Sequence, residues 1–127
     1  MSKIYNTLFH LGTVGGCHQL PERSFFIKGY QFPVCARCTG VFIGYVLGII
    51  LHLVHGTSIT CCLSGCGVMF LDWYIQYREI KMSTNIRRLI TGVMGGCGVM
   101  GIQLLILEYL IEKFISFSEI IITHVGV

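Results

Sequence analysis

The sequence predicts an all-α membrane protein: three transmembrane helices, a tight hairpin plus a third span, preceded by an N-terminal cytoplasmic loop region rich in cysteine and histidine. Three observations carry this expectation. Apolar residues make up 54% of the 127-residue chain and charged residues 12%, about half the charged share of an average soluble domain. Three segments approach the roughly 20 apolar residues that cross a hydrocarbon layer. Sixteen glycines against two prolines suit helices that meet through small residues. With a mean hydropathy of +0.74, a disordered chain is excluded, because so much apolar surface would collapse. A formal net charge of +3, spread along the chain, points to no nucleic-acid partner.

Residues 1–127 are read as a single polytopic domain, the length being right for one. At the start, Ile4, Leu8 and Leu11 recur at helical spacing, which predicts an amphipathic helix lying at the membrane interface. Residues 1–38 hold this helix and the Cys/His region. Pro21 and Pro33 bracket a stretch from Leu20 to Val34 that should be an ordered loop or short hairpin, since proline disfavours helix. The spans follow at 39–55, 58–77 and 89–110, with 111–127 as a C-terminal tail. A link around Gly56 makes the first two spans a tight hairpin. Every lysine and arginine except Lys113 precedes the first span or lies between the second and third. Short basic loops stay in the cytoplasm, so a multi-pass cell-membrane protein with a cytoplasmic N-terminal region is expected. Gly40, Gly44 and Gly48 form one stripe on the first span, and Gly92 and Gly96 repeat the spacing on the third. Such stripes bring helix axes together within a chain or between chains, and a homodimer is one expectation.

The chain has seven cysteines, an odd number that forbids complete internal pairing. Cys61, Cys62, Cys66 and Cys97 lie inside spans, where cysteine packs as a small hydrophobe. Cys35 and Cys38 form a C-x2-C pair at the mouth of the first span, with Cys17 and His18 upstream. Three sulfurs and one imidazole match the tetrahedral preference of zinc. His10 could replace His18, or the fourth position could stay open, as in a catalytic metal site. Unligated buried cysteines and a redox dithiol using the C-x2-C pair are the other readings.

Asp72 is the sole aspartate, placed near the cytoplasmic end of the second span with Gln76 one turn on. A carboxylate at that depth is costly and marks a functional candidate. Its nearest cations in sequence are Arg78, Arg87 and Arg88, and a structural ion pair with one of them is the other reading of Asp72. Ser83, Thr84 and Asn85 are candidate caps of the third helix, whose N-terminus with Arg87 and Arg88 would favour phosphate. Arg23, in the loop between the cysteines, adds another cation.

The strings CHQLPERSFFIKGYQFPVCARCTG (Cys17 to Gly40), LDWYIQ (Leu71 to Gln76) and STNIRRLITG (Ser83 to Gly92) resemble a bacterial family of small predicted membrane proteins of unknown function, with a CHQ…RSF…CxRCxG signature. The resemblance implies that Cys17, His18, Gln19, Arg23, Ser24, Cys35, Arg37, Cys38, Gly40, Asp72, Gln76, Asn85, Arg87 or Arg88, and Gly92 match the family pattern. Trp73 departs from it, standing where a glycine would be expected.

Three functions follow. The leading one is a metal-dependent protein whose cytoplasmic face handles a phosphate-bearing lipid or small anion. There Cys17, His18, Cys35 and Cys38 would hold zinc, while Asp72, Arg23, Gln76, Arg87 and Arg88 would act on the substrate. The second is a thiol–disulfide or quinone-linked redox protein. The third is a non-enzymatic metal handler, metal sensor or assembly factor.

Overall fold

The computed structural model describes residues 3–125 and is mostly helical. Helix α1 (Lys3–Val14) leaves Ile4, Leu8 and Leu11 exposed. A short 3-10 turn (Pro21–Arg23) leads into strand β1 (Ser24–Ile27), which pairs antiparallel with β2 (Tyr30–Cys35). This pair corrects the all-α expectation. Lys28 and Gly29, both at positive φ, form the two-residue turn that matches strand twist. The register pairs Ser24 with Cys35, so the hairpin delivers Cys35 directly to the start of α2 (Ala36–His55).

Gly56, at φ 72°, closes α2 and donates its N–H to the His52 carbonyl at 2.9 Å. Helix α3 (Ile59–Tyr77) then returns antiparallel, and α4 (Asn85–Val125) turns back again. Thr84 caps α4, its hydroxyl accepting from Arg87 N–H at 3.3 Å. The expected third span and C-terminal tail are one continuous 41-residue helix, about 60 Å long; residues 126 and 127 of that tail lie outside the described residues.

Of these helices, α2 and the 85–124 stretch of α4 are long and apolar enough to cross a membrane, two rather than the expected three. Helix α3 has 19 residues, but its final turns carry Asp72, Tyr74, Gln76 and Tyr77 and dilute its apolar character. It still packs along α4, as α2 does, while α2 and α3 scarcely touch each other.

Glycine sets the α2–α4 spacing. A Cβ on Gly40 would collide with the Leu89 carbonyl and one on Gly44 with the Val93 carbonyl, while Gly48 lies against Met100 and Cys97. These contacts advance together along both helices, so α2 and α4 run parallel. Across the seam, Gly92 meets the Arg37 carbonyl and Gly96 that of Val41. Both stripes therefore pack inside the chain, one of the two arrangements expected of them. On the other side Gly98 admits Cys62 and Cys66, and these cysteines serve as packing.

Candidate metal centre

Three separate elements bring the cysteines of the N-terminal region together. Gly16, at φ 77°, turns the chain after α1, and Cys17 N–H is held by the Gly12 carbonyl at 3.1 Å. Cys35 ends β2 at the N-cap position of α2, and Cys38 sits in the first turn of that helix. The three Sγ atoms all lie within 4.8 Å of one another. Cys17 is buried and the other two half-buried. Backbone N–H of Cys35 donates to Cys17 Sγ at 3.2 Å, a contact that fixes the direction of that side chain toward the other two sulfurs.

The donors suit zinc. At a Zn–S length of about 2.3 Å, a tetrahedral ion holds its sulfurs about 3.8 Å apart, so the observed trio needs only a small contraction. The Cys35 thiol is pulled down to about 5, first by a hydrogen bond from the Cys38 thiol, then by N–H donors of Cys38 and Arg37 and the Cys17 thiol, against the opposing effect of burial. One thiolate is thus preformed at neutral pH. His18 lines the same cavity but is exposed, and neither it nor His10 belongs to the ligand group. No fourth His, Cys, Asp or Glu side chain joins the trio among the described residues. Among the described residues no other group of three or more His, Cys, Asp or Glu side chains converges this closely.

The sulfurs form one wall of a cavity of about 940 Å³ between the N-terminal region, α2, α3 and the start of α4. Arg23, Arg37, Arg88 and Gln76 also line it, with Glu79 as its carboxylate. Arg87 instead reaches Asp72 Oδ1 through Nε at 2.7 Å, and Arg37 Nη2 reaches Oδ2 at 2.7 Å. The Ser83 and Thr91 hydroxyls add contacts to the same carboxylate at 3.3–3.4 Å. Asp72 is 2% exposed. Both of its oxygens face cations, so it ties α2, α3 and α4 together beneath the cavity. Gln76 Oε1 accepts from Arg37 at 3.2 Å. Arg88 is 4% exposed and donates to Asn85 Oδ1 at 3.0 Å, while its Nε, like Arg37 Nε and Gln76 Nε2, is buried with no partner.

Sequence reasoning overlooked Arg37 as the principal partner of Asp72. Arg78, one of the cations named for that role, lies over the Tyr74 ring instead, 5.9 Å from its centroid. Position within the C-x2-C pair was the available signal: a residue in the first turn of α2 faces the bundle at the level of the cysteines. Gln19 was matched to a family pattern without a role. At φ 48° its side chain donates to the Phe9 and Pro33 carbonyls at 2.6 and 2.7 Å, clamping α1 onto β2 and thereby placing Cys17.

Comparison with known proteins places these residues in a family. The family described as "Predicted membrane protein (DUF2085)" matches residues 17–102, a region that holds the thiol trio, the arginines and Asp72. An uncharacterized protein of Methanothermobacter thermautotrophicus is 39% identical over 88 residues, which cover 65% of this chain and 79% of that protein. An uncharacterized protein of Methanocaldococcus jannaschii is 53% identical over 36 residues, 28% of this chain and 23% of its own length. Both organisms are archaea, so these relatives lend no support to a bacterial setting. No solved structure matches the chain. A match across more than half of the sequence settles membership: the chain belongs to DUF2085, a family of predicted membrane proteins.

Proposed function

We propose that this protein is a multi-pass cell-membrane protein that holds a zinc ion on Cys17, Cys35 and Cys38, with the fourth position open to a lipid-borne or small anionic substrate. The cavity faces the cytoplasm, because the basic residues flank it on the N-terminal and 78–88 segments. One observation carries the reading. Three thiol sulfurs within 4.8 Å of one another and three arginines line one cavity. When bound, the metal would supply a Lewis acid beside the anion. Arg23 and Arg88 hold the anion's charge, and Asp72 positions Arg37 and Arg87 rather than touching substrate. Gln76 orients Arg37 and offers its amide N–H to the cavity.

Cobalt substitution tests this reading. The loaded protein should show the intense visible bands of a tetrahedral thiolate site, and those bands should shift on addition of a small anion. Bands that ignore every added ligand would mark a closed structural site and remove the substrate role.

A second reading rests on a different observation. Cys35 stands at a helix N-terminus with its thiol held at about 5, an arrangement shared with redox-active C-x2-C pairs. Thiol titration decides: a Cys35–Cys38 disulfide in metal-free purified protein, opened by reductant, would favour thiol–disulfide exchange.

A further inference from the structure

We propose that the cavity is a seat for a terminal phosphate group, and that Arg88 and Arg23 are its anchors. The inference deepens the reading above, since it names the substrate class of the same cavity. Charge is the starting point. Asp72 is already shared by Arg37 and Arg87, so neither oxygen is left for another cation. Arg88 is 4% exposed, yet its hydrogen bond goes to the neutral Asn85 amide oxygen, and its Nε has no partner. A buried guanidinium with no direct ion pair is costly, and an anion seated against it would offset that cost. Arg23, half-buried in the same lining, makes no ion pair among the described residues.

Glu79, the carboxylate of this lining, is exposed, and the planar forks of the two guanidinium groups without a direct ion pair match phosphate oxygens. Arg88 also lies in the first turn of α4, where the helix dipole adds positive potential. Apolar side chains dominate the exposed lining: Leu20, Trp73, Tyr77 and Met82 stand there beside His18 and Glu79. Buried guanidinium beneath a largely apolar exposed lining fits an amphiphile whose phosphate enters first. Free phosphate would meet the same guanidinium groups and leave the apolar lining unused.

The test uses the full chain in nanodiscs of phosphatidylcholine supplemented with either phosphatidic acid, a phosphomonoester lipid, or phosphatidylglycerol, a diester of like sign. Lipid retention is read by native mass spectrometry and competed with inorganic phosphate. Preferential retention of phosphatidic acid, weakened about tenfold in Arg88→Gln and Arg23→Gln, supports a lipid source. Tight binding of inorganic phosphate without phosphatidic acid preference, lost in the same variants, supports a free phosphate source. Equal retention of both lipids together with no phosphate binding overturns the proposal. Arg23→Gln, at a half-buried position, keeps the test valid should Arg88→Gln fail to fold. Metal content is measured on the same samples: metal without phosphate binding sinks only this inference, and phosphate binding without metal sinks only the zinc reading.

Discussion

Arg37 Nη2 meets Asp72 Oδ2 at 2.7 Å, joining the first turn of α2 to the last turns of α3 at the level of the thiol trio. Because Cys38 follows Arg37 by one residue, the position of this sulfur and the direction of α2 are set partly by an ion pair on the neighbouring helix. Arg87 closes the other side of the same carboxylate. A network linking three helices through one buried group is sensitive to removal of its centre.

Asp72→Asn is therefore expected to destabilise the protein, by about 3 kcal/mol, since Arg37 and Arg87 would keep their charges and lose their counter-ion. The thermal midpoint in detergent should fall well below that of the native chain. A double variant, Asp72→Asn with Arg37→Met, should recover part of the loss. Full native stability in Asp72→Asn would show that the carboxylate is not a structural clamp.

Gly44→Ala should also separate helices. The added Cβ would collide with the Val93 carbonyl and approach Cys97 N at 2.8 Å, and backbone cannot move aside as a side-chain tip can. A loss of about 1–3 kcal/mol is expected, with broadened elution on size exclusion. Gly67→Ala is the control, because nothing lies within 4 Å of its Cβ position. There the better helix propensity of alanine should leave stability unchanged or raise it by about 0.5–1 kcal/mol.

These two sites also illustrate what was legible in the sequence. The stripes of Gly40, Gly44, Gly48 and Gly92, Gly96 announced close packing through local periodicity, but not which surface they would face. That choice depends on α4 running parallel to α2, a tertiary fact. The convergence of Cys17 with Cys35 and Cys38 followed from residue type and spacing, whereas His18 did not join them. Adjacent side chains diverge, and Cys17 occupies the inward direction. Arg37 was hidden because its partner is 35 residues away, and charge counting along the chain favours nearer cations. The length of α4 was missed because about 20 residues suffice to cross a hydrocarbon layer, while nothing after Leu110 breaks the helix.

Metal content separates the ligands. Cys17→Ser, Cys35→Ser and Cys38→Ser should each lose most of the bound zinc, from about one ion per chain, because each removes one of only three thiolates. His18→Ala should retain it, given that the imidazole lies outside the ligand group. Elemental analysis of detergent-purified protein reads both results. Zinc lost in His18→Ala would show that the imidazole swings in to close the site, and the open fourth position would have to be abandoned.

The last prediction concerns pH. In chelator-treated protein, Cys35 has its thiol lowered from 9.0 to about 5 by the Cys38 thiol and neighbouring N–H donors. A lowered value means that the thiolate is present above pH 5 and is lost only as the pH falls through that point. Alkylation of Cys35 by iodoacetamide should thus be half-maximal near pH 5 and flat between pH 6.5 and 8, where an ordinary thiol near 8.5 would still be rising steeply. Mass mapping of the alkylated peptide assigns the site. Cys38→Ser keeps a hydroxyl donor in place and should leave the midpoint near pH 5, whereas Cys38→Ala should move it upward because no side-chain donor remains. Zinc, by occupying the sulfur, should abolish alkylation across the whole range. A midpoint that stays near pH 5 in Cys38→Ala would mean that the N–H groups at the start of α2, and not the second thiol, hold the charge.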